Sequence, residues 1–245
     1  SVDFIVEELF ANPCVCSQNY LQLFTSIPEV FFPIDYIASR IAGAVFYLKK
    51  VKDDSIVWDN KKVNQILNKP NCLFSWKETV YSHFVYRLCT GDSFIRAAVP
   101  ESLMSTKDLW KWCSNYWVLP ADKVEIIPVR NFIPLFGIAE TKDIIDCYHI
   151  NFGFSSGLRM NPAQILHDRE GIPSLYPGIS FLRGTSRLKS QSKPISNLIA
   201  VYEARNVIYV KRGGLGWLVS AKQDETGTIA MTSDEKKELL QEHNK

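Results

Sequence analysis

Apolar residues recur at intervals of three and four from Ile34 to Leu48, through Ile37, Ala38, Ile41, Ala42 and Val45. The spacing predicts a core helix over 34–48, with Pro33 in its first turn. Ala38, Ala42, Gly43 and Ala44 would let a neighbouring helix approach closely. Lys49, Lys50 and Lys52 fall at the C-terminal end of this predicted helix, where its dipole favours cations. Upstream, SVDFIVEELF fits a short helix with Phe4, Ile5, Leu9 and Phe10 on one side, and Pro28 and Pro33 break the pattern.

Downstream, a short helix is expected from Asn60 to Leu67, stopped by Asn68-Lys69-Pro70-Asn71. Ser75 with Glu78 reads as a capping box that opens a third helix, running through Val80, Phe84 and Leu88 to Gly91. Ser93 to Val99 has the short apolar character of a strand. After an aromatic stretch, Leu109 to Leu119, the runs 124–127, 132–138 and 144–152 read as strands separated by proline and charged turns. Helices first and an antiparallel sheet afterwards predict an α+β domain for the first 155 residues.

The stretch from Asn161 to Gly216 offers a helix linking two small β-rich parts. Asn161-Pro162 starts a turn leading to Ile165-Leu166-His167, and the link to Gly184 is punctuated by Gly171, Pro173, Pro177 and Gly178. Ser192 is the expected cap of the next helix, with Pro194 in its first turn, continuing to Tyr209. Trp217 to Ser220 reads as a strand. Thr232-Ser-Asp-Glu235 is a capping box for a last helix over 233–242. With no closing apolar element after it, the sequence is expected to stop inside a domain.

At 245 residues and 46% hydrophobic, the chain can bury a sizeable core. The net charge of +2 argues against electrostatic nucleic-acid binding by the whole molecule. Between Arg183 and Arg212 lie Arg187, Lys189, Lys193, Arg205 and Lys211, opposed only by Glu203; this excess suits either phosphates or a solvated face. Cys14, Cys16, Cys72, Cys89, Cys113 and Cys147 lack zinc-site spacing and are expected as buried free thiols in a reducing cytoplasm. Neither a signal peptide nor a membrane-spanning run is evident, so a soluble chain, intracellular at synthesis and without membrane contact, is expected.

Two other functions compete. A hydrolase would use His149 or His167, but neither GxSxG nor HExxH occurs, and Asp168 and Glu170 beside His167 are adjacent rather than arranged. A nucleic-acid module would stack bases on Trp110, Trp112, Tyr116 and Trp117 with Lys107 and Lys111 alongside; an aromatic core is the plainer reading. Gly213, Gly214 and Gly216 are too loosely spaced for a phosphate loop. No cofactor or metal is expected.

The order of local motifs resembles the HK97-like portal proteins of tailed phages. The helix at 34–48 is followed by Leu67-Asn-Lys-Pro-Asn71, similar to the family's "L…PN". Leu88-Cys-Thr-Gly-Asp-Ser-Phe94 is similar to its "L…GN-x-[FY]", with Asp92 where Asn is usual. Gln164-Ile-Leu-His167-Asp-Arg169 is like "[DE]-[IV]-[IL]-H-x-[RK]", and Gly171-Ile-Pro-Ser-Leu-Tyr176 is like "G-x-SPL" without its proline. Val210-Lys-Arg-Gly-Gly-Leu-Gly-Trp-Leu218 then resembles "f-x-n-G-x-x-p-x-G-x-l".

The resemblance implies a wing over 1–185, a first stem helix over 186–211 and the start of a small α/β clip over 212–245. It implies a non-enzymatic homo-oligomeric ring, a dodecamer, at the capsid vertex of the virion, assembled in the host cytoplasm. Double-stranded DNA would pass through its axis during packaging and ejection. The partners implied are the terminase large subunit, the head–tail connector and the major capsid protein. Ile195, Leu198, Ile199 and Tyr202 are then subunit contacts, and Lys193, Arg205, Lys211 and Arg212 face the channel or its phosphates. Gly213, Gly214, Gly216 and Trp217 open the clip. Near-neutral charge suits a channel through which DNA must slide, because many fixed phosphate contacts would hold it. Trp217→Ala is predicted to weaken assembly or terminase docking while leaving the first domain folded; unchanged DNA packaging by the variant would refute the clip assignment.

Overall fold

A computed structural model describes residues 13–57, 60–100, 110, 113, 115–129, 143–151, 157–171, 182–211, 223–224, 227–228, 232–234 and 236–237. The chain divides into two compact units, Ser1–Pro194 and Ile195–Lys245. The fold class is α+β, with helices followed by small antiparallel sheets.

In the first unit, α1 (Pro13–Ser26), α2 (Pro28–Ala42) and α4 (Trp76–Thr90) pack on one another. The α1 helix was not anticipated: Ser17, Gln18 and Asn19 obscure the Tyr20–Phe24–Ile27 spacing that the fold buries. The α2 helix starts and ends six residues earlier than expected. Pro28 occupies its first turn with Glu29, and Val30, Ile34, Ala38 and Ala42 form its buried stripe. Pro33 therefore lies inside the helix. It sits on the exposed side with Glu29 and Ile37, where solvent competes for carbonyls and a lost intrahelical bond costs least.

Beyond Gly43 there is no apolar face left to bury; Val45 is 84% exposed. The β-branched and aromatic run that follows leads instead into a hairpin of β1 (Leu48–Lys49) and β2 (Ile56–Val57). Lys49, Lys50 and Lys52 consequently belong to this hairpin rather than to a helix terminus. The short helix α3 (Lys61–Asn68) follows, with the Asn60 side chain capping Val63 N–H.

At α4 the expectation holds in detail. Ser75 and Glu78 form a reciprocal capping box, and Gly91 closes the helix in the left-handed region (φ 84°). Tyr81 donates to Asp35 Oδ1 at 2.8 Å, tying α4 to α2. The chain passes from Gly91 directly into β3 (Asp92–Ala98), which pairs with β4 (Asn115–Leu119) on one side and β8 (Ile165–Arg169) on the other. A second antiparallel sheet joins β5 (Val124–Pro128), β6 (Ile145–Ile150) and β7 (Leu158–Met160). Phe94, Leu119 and Ile165 of the first sheet share one core with Val124, Ile126, Tyr148, Ile150 and Met160 of the second.

His167 is thus within a strand, not a strand-to-loop turn. Cys89, Cys113 and Cys147 are buried free thiols, whereas Cys72 is exposed. Burial pushes the Cys89 thiol up to about 12. The readings at 1–10 and 132–138, and the clip residues Arg212, Gly213, Gly214, Gly216 and Trp217, lie outside the described residues.

The second unit holds most of α5 (Ser192–Asn206), and a π-helical stretch, Val207–Lys211, continues it through the expected end at Tyr209. Gln223–Asp224 (β9) and Gly227–Thr228 (β10) form a two-residue antiparallel pair. At 232 the expected helix start is present as Lys236 N–H donating to Thr232 O at 3.1 Å.

At the α4–β3 junction a second strand of chain crosses in contact with the backbone. A Cβ at Gly184 would overlap the Gly91 carbonyl oxygen. Gly184→Ala is therefore predicted to lower stability by about 2 kcal/mol or more through overpacking. Gly171→Ala should cost only the left-handed backbone penalty (φ 79°), about 1 kcal/mol. Urea unfolding of both variants tests this; equal losses would exclude the crossing as drawn.

Candidate functional site

Side chains alternate across a strand, and in β3 and β8 this alternation places two groups of charges on opposite faces. Asp92 and Phe94 of β3 share the sheet–sheet face with His167 of β8, and Asp168 of β8 faces α4.

On the inner face the Asp92 side chain is 1% exposed. Its Oδ1 lies 2.7 Å from His167 Nε2 and accepts the Gly184 N–H at 2.7 Å. Its Oδ2 is 3.5 Å from Arg183 Nη1. Arg183 also donates to the carbonyls of Ala121 and Val124, and its guanidinium lies over the Phe94 ring at 5.6 Å. The His167 ring stacks on Phe94 at 4.4 Å and meets Tyr148 edge-on. Burial pushes the Tyr148 hydroxyl up to about 12. A buried charge is tolerated only when paired and hydrogen-bonded, and here one carboxylate answers an imidazole, a guanidinium and a backbone N–H.

On the helix face Asp168 meets His83 at 3.1 Å and Arg87 at 3.2 Å. Glu170 forms an ion pair with Arg87, Oε2 to Nε 2.7 Å, and accepts a hydrogen bond from Arg187 Nε at 3.0 Å. Burial holds His83 below its ordinary 6.5, against the opposing pull of Asp168. The hydrogen bond from Arg187 keeps the Glu170 carboxyl low. Between the two faces the backbone is laced across the junction. Glu170 N–H donates to Gly91 O and Thr185 N–H to Glu170 O, each at 2.8 Å, and the Ser186 hydroxyl donates to Cys89 O.

The His167–Asp92 distance would suit an oriented imidazole, but the ring is spent on Phe94 and Tyr148 within the core. Among the described residues no hydroxyl or thiol is hydrogen-bonded to it. His149 lines an open cleft of about 460 Å³ with Asp146, Cys147 and Arg159, its ring packed over Gly157 and its Nδ1 4.0 Å from Glu125. No group of three or more potential metal ligands occurs among the described residues. Trp110 stacks on Tyr116 at 5.9 Å against Ala97, Val99 and Cys113, and Trp117 meets Phe74 edge-on. These three rings are used in packing; Trp112, Lys107 and Lys111 lie outside the described residues. No helix among the described residues is long and apolar enough to cross a membrane.

On α5 the residues singled out from sequence are spaced as one stripe: Ile195 is buried, Leu198 and Ile199 half-buried and Tyr202 38% exposed. At roughly 100° per residue, Lys193 falls on the opposite side and Arg205 at the stripe's edge. The Arg205 guanidinium lies 6.0 Å from the Tyr209 ring. Beyond the stripe, Val201, Val207, Tyr209 (71%) and Val210 (74%) are exposed. Lys211 contributes backbone to the π turn. Sequence reasoning missed Asp92, Arg183, His83, Arg87 and Arg187 as a group. Isolated charges have no periodic signature, and the available cue was that Asp92 and His167 sit within two of the motifs.

Asp92→Ala should cost about 3–5 kcal/mol, because Arg183 is left buried without its carboxylate, and Asp92→Asn distinctly less. Denaturant unfolding at pH 7 measures both; equal and small losses would contradict the pairing. His83, with a depressed folded pKa, contributes stability that is complete above its ordinary 6.5 and is lost as pH falls below it. Glu170 adds the same sign of effect below its ordinary 4.5. His83→Gln should flatten the first part of this acid limb, read from unfolding curves between pH 7 and 5.

No family model and no curated protein matches the chain. Solved structures do. One is a chain from the neck of a native gene transfer agent particle computed with C12 symmetry, with TM-score 0.56 and 15% identity over 92% of this chain and 54% of that one. A chain from the neck of the empty particle, computed with C6 symmetry, gives TM-score 0.61 at 14% identity, over 92% and 55%. A chain from the virion of the native particle gives 0.58 at 15%, over 96% and 55%. The chain spans about half the length of these solved chains, and at this identity the likeness is one of fold.

Proposed function

We propose that this chain is the N-terminal part of a portal-type structural subunit, a ring component at the neck of a phage-like particle. The observation that carries the reading is the fold likeness over 92–96% of the chain to neck and virion chains of gene transfer agent particles. The C12 and C6 symmetries of the two neck structures support a homo-oligomeric ring, with virion localisation and a non-enzymatic role. The order of the five motifs supports the finer assignment of wing (1–185), first stem helix (186–211) and clip (from 212).

A cyclic ring is closed by heterologous contacts, in which two different patches of each subunit meet. On this reading Leu198, Ile199 and Tyr202 of the stripe, whose first member Ile195 the chain already buries, and the exposed Tyr209 and Val210 are covered by the neighbouring subunit. Lys193, Arg205, Lys211 and Arg212 meet either that neighbour or passing phosphates. Double-stranded DNA travels through the axis during packaging and ejection. The terminase large subunit and then the head–tail connector dock on the clip, with the major capsid protein around the wing. Gly213, Gly214, Gly216 and Trp217 belong to that docking segment.

Negative-stain imaging and solution mass of the full-length gene product test this. Rings with an axial hole are expected, and Tyr202→Asp should reduce the ring fraction at least tenfold without lowering the unfolding midpoint of the first unit. A full-length product that stays monomeric at high concentration would overturn the proposal.

A further inference from the structure

The charges between α4 and β8 form a chain of shared partners that ends on the lead into α5. Asp168 Oδ2 takes both His83 Nε2 at 3.1 Å and Arg87 Nη1 at 3.2 Å. Arg87 continues to Glu170, Nε to Oε2 at 2.7 Å. The other oxygen of Glu170 accepts from Arg187 Nε at 3.0 Å and from Arg187 Nη2. Arg187 opens the short 3-10 helix Arg187–Gln191, after which α5 begins. While His83 is neutral, two guanidinium groups face two carboxylates and the row balances.

A proton on His83 upsets that balance. Its Nε2 edge becomes cationic against an oxygen that already holds Arg87, and its enclosed Nδ1 meets no acceptor among the described residues. Asp168 and Arg87 are the charges that act on His83 directly. On β3 the uncharged Ser93 stands opposite Asp168, and Arg169 opposes Asp92 on the inner face of the sheet. Asp35 of α2 accepts from Tyr81, and α1 has no charged residue. Three cations then compete for two carboxylates, and exposure decides which one leaves. The side chains of His83 and Arg87 are 14% and 29% exposed, that of Arg187 62%. Losing a partner is costly below the surface and cheap in water. Arg187 is the one that can go.

We propose that this row is an acid-operated latch on the lead into α5. A proton on His83 moves Arg87 from Asp168 onto Glu170, which it already touches, and Glu170 releases Arg187. The first turn of the Arg187–Gln191 helix is thereby unfastened. The crossing at Gly184 stays shut, because its bond to Asp92 lies on the other face of the sheet. Burial holds His83 below its ordinary 6.5, and Arg187 holds Glu170 below its ordinary 4.5, so the latch works between the two with Glu170 still ionised. The acid response is thus placed in one segment, where a general loss of stability would be shared by the whole unit. The proposal does not rest on ring formation.

Hydrogen exchange of the full-length gene product at pH 7.5 and pH 5, corrected for the intrinsic rate, tests it. The reporters are the Leu188 and Lys189 amides, which donate to Ser186 Oγ at 3.0 Å and to Ser186 O at 3.2 Å. On acidification their protection should fall about tenfold further than that of Phe94 and Gly184. His83→Gln, neutral at both pH values, should remove this difference. Arg187→Gln changes an exposed side chain and spares the fold. It should lower protection at Leu188 and Lys189 already at pH 7.5, with no further selective loss at pH 5. An equal fall at all four amides would overturn the proposal, and so would a selective fall that persists in either variant.

Discussion

The first unit depends on one carboxylate. Asp92 begins the strand that pairs on both sides, and its side chain is enclosed where α4, β3, β8 and the segment around Gly184 meet. Ionised carboxylates are rarely left in such a place, because desolvation costs several kcal/mol unless geometry returns it. The return here comes from three partners on two other stretches of chain: His167 on β8, and Arg183 with the Gly184 N–H on the crossing segment. Such a group adds little net stability compared with a well-packed apolar one. What it adds is specificity, since a slipped register between β3 and β8 would leave its charges unmatched. In the observed register Asp92 opposes Arg169 and Phe94 opposes His167.

Alternation then carries the constraint through the sheet. With Asp92 and His167 committed to the inner face, Asp168 must face α4, where His83 and Arg87 meet it from adjacent turns of the helix. Glu170 extends the row and engages Arg187. The segment 183–187 is thus fastened from both sides before the chain starts α5 at Ser192.

What could be read from the sequence follows from which signals are local. The α4 helix was legible at both ends because a capping box and a left-handed glycine are written in consecutive residues, Ser75–Glu78 and Gly91. The α2 helix was legible in type but displaced by six residues. Its stripe from Val30 to Ala42 and the unused apolar run through Leu48 share one periodicity, and only the hairpin distinguishes them. The α1 helix was hidden because the polar residues Gln18 and Asn19 interrupt the sequence just before its buried stripe begins at Tyr20. The polar cluster was illegible for a different reason: its bonded partners are distant in sequence, 92 positions apart for Asp92 and Gly184, and only the fold brings them together. The stripe on α5 was visible from its spacing, yet nothing in the spacing separates a subunit contact from an ordinary core face.

The likeness to neck chains at 14–15% identity is one of fold, with little sequence in common. A fold held by a few interlocked polar contacts and an apolar core of interchangeable residues is compatible with many sequences, provided the contacts at the junction keep their geometry.

The most direct measurement of this account is native-state hydrogen exchange at the junction. The Glu170, Gly184 and Thr185 amides, which donate to Gly91 O, Asp92 Oδ1 and Glu170 O, should exchange as slowly as the β3 amides of Phe94 and Ile95, through global unfolding alone. Exchange at those three sites faster by about a hundredfold or more, with β3 still protected, would show that the segment opens by itself and that Asp92 does not fasten it.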